Sequence, residues 1–260
     1  ANQVGFVNIH SGQTNSGVYI APKGTGAFWL GPAATGSGST GNARGASSVD
    51  LQLIRNVAAQ VASGTESFTA GSYNTVAGSH AAAIGYALVA SGDYSFAANY
   101  DNTASGSNSA AFGYRANATH MGEMAIAGGR RSIAGDAQTS VVTAFGTTTN
   151  NTATEIYLNG ANSLLTVPSG HCYACDIRWV AKSGANVAAG KRFCVINNNS
   201  GTTALDGAVD TIGTDHNTPG WGGITITAVD STTDYLKIEV TGATSTTINW
   251  VVTINFTVNG

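Results

Sequence analysis

The sequence is poor in charge. Only 10% of its 260 residues are Asp, Glu, Lys or Arg, against roughly 25% in an average soluble domain. The formal net charge is −3, so neither a basic footprint for nucleic acid nor a basic face for anionic lipid is present. No apolar run approaches the ~20 residues that a membrane-spanning helix needs. The opening ANQVGFVN has neither a basic segment nor an apolar one, so no secretory signal is visible. It also lacks Met, which reads as a processed end or, more simply, as a piece of a longer chain, the second being favoured. Cysteine is scarce and odd in number, at Cys172, Cys175 and Cys194, which argues against a disulfide framework and fits assembly in a reducing cytoplasm. No G-x-S-x-G, H-E-x-x-H or P-loop occurs, and no cofactor is expected.

Glycine is abundant, at 34 residues, and apolar residues still make up 42%, so the low charge does not imply disorder. From Val61 the glycines form a comb: Gly64, Gly71, Gly78, Gly85, Gly92, Gly106 and Gly113 fall every seventh residue, with one miss at Asn99. The chain can be cut into turns of 14: VASGTESFTAGSYN, TVAGSHAAAIGYAL, VASGDYSFAANYDN and TASGSNSAAFGYRA. Between the glycines, apolar residues recur one turn apart at Ala70, Ile84, Ala98 and Phe112. They recur again at Ala62, Val76, Ala90, Ala104 and Ala118, and small residues follow at Ser63, Ala77, Ser91, Ser105 and Thr119. Tyr86, Tyr100 and Tyr114 make a further file. Such files are the signature of a solenoid. Two short strands per turn stack on their neighbours at about 4.8 Å. Glycine at the corners supplies positive φ or close backbone approach. The inward files are Ala-rich, so one roll buries little apolar area and is marginal alone, and association of copies is expected. After Asn117 the comb slips: Gly122 and Gly129 are displaced by two, and HMGEMAIAGGRRSIAGD reads as a last, irregular coil. The roll then spans five or six turns.

These residues resemble known families. AAAIGYALVASGD and SAAFGYRAN are similar to the head repeats of trimeric autotransporter adhesins. GNARGASSVDLQLIRNVAAQVASG resembles the segment that introduces the same roll in phage tail fibres. The likeness covers Gly17 to Gly135. It implies a left-handed parallel β-roll and a homotrimer. No heptad stalk or membrane anchor accompanies it here.

The expected fold is therefore all-β, in four parts. Residues 1–60 form a strand-rich entry, with VGFVNIH, GVYIAP and GAFWLGP as short strands. SSVDLQLIR alternates at Val49, Leu51 and Leu53 and reads as a strand or a short helix. Residues 61–146 form the roll and residues 147–154 (TTTNNTAT) a polar linker. Residues 155–260 form an antiparallel β-sandwich tip with strands at regular spacing. There INWVVTINFTV places Ile248, Trp250, Val252, Ile254, Phe256 and Val258 on one face.

Each candidate site has a plainer reading beside it. His171 with the three cysteines suggests zinc. Residues i and i+3 of a strand point to opposite faces, however, so Cys172 and Cys175 do not converge, and buried small hydrophobes are the favoured reading; no metal is expected. Asp206, Asp210, Asp215 and His216 lie in a long polar segment, where a carboxylate pair could hydrolyse a glycan. No further motif supports catalysis, and turn geometry explains such residues equally well. Asp215, His216 and Asn217 beside Trp221 suit sugar recognition, with an aromatic ring for the apolar face and polar groups for hydroxyls; a trimer contact or a solvated loop is the alternative. The tyrosine file either points outward as a ladder for an extended glycan, or inward to fill a trimer axis, with structural stacking favoured. Arg130 and Arg131 are placed to cap the last coil with charge. Together these imply non-catalytic, multivalent adhesion by a phage fibre. Its partners would be a host surface polysaccharide or outer-membrane component and the rest of the fibre. Its place would be the virion tail tip, after assembly in the host cytoplasm. An adhesin head and a capsule depolymerase are the rivals.

Overall fold

The computed structural model describes residues 26–29, 42–52 and 54–260. The expected strands VGFVNIH and GVYIAP, and Leu53, lie outside the described residues. Among those described, every regular element is a strand and none is a helix.

Among the described residues up to Ala127, the chain forms a parallel β-solenoid of about four turns, fewer than the five or six expected. Its wider wall is built from Val49–Gln52, Phe68–Ser72, Ala82–Tyr86, Phe96–Tyr100, Ala110–Gly113 and Met124–Ala127, each hydrogen-bonded in parallel to the next. In register, Phe68 lies beside Ala82, Ala82 beside Phe96, Phe96 beside Ala110 and Ala110 beside Met124. The opposite wall is a ladder of two-residue strands, Thr75–Val76, Val89–Ala90, Thr103–Ala104 and Asn117–Ala118. The SSVDLQLIR segment enters as a strand, and Met124–Ala127 is a regular final rung, so the irregularity expected after Asn117 begins only beyond Ala127.

Side-chain alternation on so narrow a coil leaves room inside for little more than a methyl group. Ala83, Ala97, Ala111 and Ala125 from the wide wall meet Val76, Ala90, Ala104 and Ala118 from the narrow one, all fully buried. The other apolar file points out: Ile84 is 49% exposed and Ile126 53%. Phe68, Ala82, Phe96 and Ala110 share that outer face at partial exposure.

The glycines divide by role. Gly64, Gly78, Gly92 and Gly106 have ordinary φ, but a Cβ on any of them would stand 2.0–2.2 Å from a carbonyl oxygen of the next turn. They are there for close stacking. Gly71, Gly85 and Gly113 combine that crowding with positive φ of 116°, 144° and 93°. Most of the remaining left-handed corners carry non-glycine residues, Gly122 at φ 66° being the exception at the end of the roll. Glu66, His80, Tyr94 and Asn108 form one file at φ 54–58°, and Tyr73, Ala87, Asp101 and Arg115 another at 53–65°. Glycine at every corner is therefore not what turns the chain.

Polar groups fill the interior towards both ends of the roll; at the first, the short strand Phe28–Trp29 of the GAFWLGP segment adds one more parallel rung beside Val49–Gln52. Asp50 takes an inward place, beside Thr69 in the file that continues as Ala83 and Ala97. Its buried carboxylate accepts from Arg55 Nη2 at 3.0 Å on both oxygens and from Arg44 Nε at 2.9 Å. At the other end Glu123 replaces the buried serines of earlier turns, Ser95 and Ser109. It accepts from His120 Nδ1 at 2.8 Å and Ser140 Oγ at 2.6 Å. His120 Nε2 reaches the Thr166 carbonyl at 2.9 Å. The His120–Glu123 pair thus clasps the last coil to the Leu165–Thr166 strand.

Ala137–Thr148 runs antiparallel to Met124–Ala127 and, along its whole length, to Ile248–Asn259. Cys172–Ser183, Asn186–Asn199 and Thr202–Leu205 extend the same sheet antiparallel. The expected linker is shorter than TTTNNTAT, because Thr147 and Thr148 finish a strand and Ala153–Glu155 starts another. Threonine is β-branched and suits a half-buried strand, and Thr148 Oγ1 accepts from the buried Trp250 Nε1 at 2.9 Å. A smaller antiparallel sheet, Gly223–Val229 with Tyr235–Thr241, Ala153–Glu155 and Leu165–Thr166, lies against it. Ile226, Leu236, Ile238 and Val240 from this sheet share one core with Ile177, Trp250, Ile254 and Phe256. The expected face of Ile248–Val258 is buried at all six positions.

Candidate functional site: an exposed aromatic ladder

Residues 68, 70 and 72 of the first full wide-wall strand point outward, and the third of these positions is Tyr in the next three turns. Tyr86, Tyr100 and Tyr114 are exposed, at 43%, 45% and 40%, because they end a rung at a corner instead of entering the alanine-wide interior. Backbone register sets them about one strand spacing apart. Tyr86 and Tyr100 stack at 5.0 Å with planes 10° apart, and Tyr114 meets Tyr100 edge-on at 5.1 Å. Tyr73, one residue off the file and not singled out by the repeat, extends the ladder by an edge contact with Tyr86 at 5.2 Å. The Arg115 guanidinium lies 5.2 Å from the Tyr114 ring centre and pairs with Asp101 at 3.0 Å. The outcome is a preorganised strip of rings, apolar on the surface and hydroxylated at the tips, held by backbone that does not need the rings for its own core.

A second exposed stack stands at the opposite ends of the wide-wall strands. His80 and Tyr94 lie 4.8 Å apart with planes 12° apart, and Tyr94 is 62% exposed. Glu66 pairs with His80 at 2.9 Å. The sequence signal for this pair was weak, since Glu66, His80, Tyr94 and Asn108 share no chemistry, only a corner.

In the loop expected to recognise sugar, the side chains of Asp215, Asn217 and Trp221 make contacts within the fold, while that of His216 is exposed. Asp215 makes a two-pronged pair with Arg192, 2.7 Å on the Nη1 prong. The Arg192 hydrogen bond holds the Asp215 carboxyl below its ordinary range, against a smaller upward push from burial. His216 exchanges both backbone hydrogen bonds with Ala189, at 2.8 and 2.9 Å. Asn217 closes the loop on the backbone of Trp221, donating to its carbonyl at 2.6 Å and accepting from its N–H at 3.0 Å. Trp221 is 7% exposed and packs in the core, its ring 6.4 Å from that of Trp250. A ring so placed has no free face for a pyranose. These four residues fasten the loop to the Asn186–Asn199 strand and the core.

Cys175 lies directly opposite Cys194, both buried, while Cys172 sits on the other face. Among the described residues no three His, Cys, Asp or Glu are placed to share a metal ion. Arg130 and Arg131 do not cap an open coil edge, because Ala137–Thr148 already covers that edge.

No protein-family model and no curated protein matches the chain. Among solved structures it is similar to the tailspike protein gp49 from Acinetobacter baumannii bacteriophage Fri1, a capsular polysaccharide depolymerase. Identity is 13% and the TM-score 0.28, over 88% of this chain and 44% of that one. The chain thus spans less than half the length of the tailspike, and a likeness this low carries no argument about function.

Proposed function

We propose that the chain is a segment of a homotrimeric bacteriophage tail fibre, a left-handed β-roll with 14-residue repeats followed by a β-sandwich tip. In this reading it adheres without catalysis to a glycan or outer-membrane component at the host surface, as part of the virion tail. The observation that carries this reading is the outward tyrosine ladder. Aromatic rings are left exposed here where the fold gains only stacking, and sugars present apolar faces that such rings take up. The apolar outer face beside it, with Ile84 and Ile126 about half exposed, supports association of copies, since large exposed apolar patches mark interaction sites. Three copies repeat the ladder three times, so weak single contacts sum to useful avidity.

The test is adsorption of the purified chain to host cells and to their isolated surface polysaccharide. Tyr86→Ala, Tyr100→Ala and Tyr114→Ala together are expected to weaken binding by roughly tenfold or more, on about 0.5–1.5 kcal/mol per aromatic contact. Undiminished binding by the triple variant would exclude the ladder as the adhesive surface. Release of reducing sugar during incubation would replace adhesion by depolymerase activity.

A further inference from the structure

The ladder does not end in solvent. Beyond Tyr114 the chain turns into the 128–136 connection, whose backbone passes close to the last ring: a Cβ on Gly129 would lie 3.9 Å from Tyr114 Cδ1. Arg115 O accepts the N–H of Gly135 at 2.9 Å, which ties this connection to the corner that carries Tyr114. Arg130 and Arg131 sit on it, both exposed. Next to them is an open groove of about 400 Å3, lined by Ile126, Arg131, Asp136, Thr139, Thr257 and Asn259 among others, within the size range of small-molecule sites.

Arg131 and Asp136 both line the groove, and Arg130 beside it adds a second positive charge. Arg130 has no ion-pair partner among the described residues. Arg131 donates from Nη2 to the carbonyl of Gly260. Of the two acids nearby, Asp101 is occupied by Arg115. Asp136 is buried and accepts the backbone N–H groups of Arg131 and Ile133 at 2.8 Å, and that of Ser132. In a chain of net charge −3, two adjacent arginines at the end of an aromatic strip stand out.

Resting on the adhesive reading above, we infer that the glycan is acidic: its pyranose rings lie along the tyrosines and a carboxylate is held at Arg131 in the groove. Guanidinium and carboxylate match in shape and charge. Thr139, Thr257 and Asn259 offer hydroxyl and amide partners for sugar hydroxyls, and Ile126 an apolar floor. A phosphomonoester carries close to two negative charges, more than this groove balances with Asp136 beneath it, so a carboxylate is the better fit.

The experiment measures binding of the full chain to a polyuronate and to the same polymer after chemical reduction of its carboxylates. Light scattering is run on every variant. The expected result is that carboxyl reduction lowers affinity by about tenfold. Arg131→Gln should lower polyuronate affinity by a similar factor and leave the reduced polymer unaffected, with Arg130→Gln weaker in the same direction and the oligomeric mass unchanged. Binding to the polyuronate should also fall with rising salt. Equal binding of the two polymers, still dependent on the tyrosines, would overturn the acidic-glycan inference and leave the adhesive reading standing. So would failure to bind either polymer while host cells are still adsorbed. A change in oligomeric mass for Arg131→Gln would assign that residue to a subunit contact and overturn its role here. Loss of adsorption to polymers and cells alike would overturn both.

Discussion

Replacing Gly92 by Ala separates close stacking from conformational freedom. Gly92 has ordinary φ, so by backbone preference alone Ala should stabilise the chain by about 0.4–1 kcal/mol through the unfolded state. The structure demands the opposite. The added Cβ would stand 2.2 Å from Gly106 O and 2.5 Å from its carbonyl carbon, about 1 Å inside an ordinary contact. Relief requires two turns to part. The bonds that hold them there are Ser91 N–H to Ala104 O at 3.0 Å and Gly92 N–H to Ala104 O at 3.3 Å, each worth about 1 kcal/mol net. With overpacking strain of about 1–3 kcal/mol, the expected loss is about 3 kcal/mol. For a chain this long that is a fall in Tm of about 6–12 °C. The control is Gly128→Ala, also at ordinary φ, where nothing lies within 4 Å of the new Cβ and the change should stay within about 0.5 kcal/mol. Thermal unfolding followed by circular dichroism measures both. A Gly92→Ala protein as stable as its parent would refute the stacking explanation of the glycine comb.

Asp50→Asn removes the charged acceptor between Arg44 and Arg55 and takes the carboxylate from the buried Arg55 guanidinium. It should cost about 3–5 kcal/mol in denaturant unfolding, and an unchanged midpoint would contradict the plug. Glu123 titrates at the clasp. Burial pushes its carboxyl up, but the hydrogen bond and charge of His120 and the Ser140 hydroxyl together outweigh it and leave the group below its ordinary 4.5. Its contribution is therefore complete above that value and lost as pH falls through the lower folded value. Glu123→Gln should flatten this acid limb of the stability profile, and an identical profile would count against the clasp. Trp221→Ala should destabilise by about 3–5 kcal/mol as a core truncation, whereas glycan binding by any folded remainder should persist; selective loss of binding with intact stability would restore Trp221 as a sugar platform.

Much of the roll was readable in the residues. The glycine comb and the file Ala62–Val76–Ala90–Ala104–Ala118 report a backbone that returns to the same place with a narrow interior. The direction of the second file was not readable. Ala70, Ile84, Ala98 and Phe112 are as apolar as the inner file, and only the folded coil shows that Ile84 faces out. The comb glycines do serve close approach or positive φ, but the other corners were not readable, because stacked turns can hold Glu66, Tyr94 or Arg115 at positive φ where local preference asks for glycine. Thr147–Thr154 looked like a linker because the partner that makes Thr147–Thr148 a strand, the Ile248–Asn259 strand, is far away in the chain. The same kind of separation hid Trp221. A Trp in a polar loop looks like a binding ring until the loop is seen folded back on the core by Asn217. Of the candidate residues, the tyrosines, whose direction the repeat left open, face outward, and Asp215, Asn217 and Trp221 make contacts within the fold.

The number of copies that share the outer apolar face is the most direct test of the fibre reading. Light scattering coupled to size-exclusion chromatography should give a mass three times the 26.2 kDa of one chain, unchanged by dilution through the micromolar range. A single-chain mass with the exposed file of Ile84 and Ile126 left in water would contradict it.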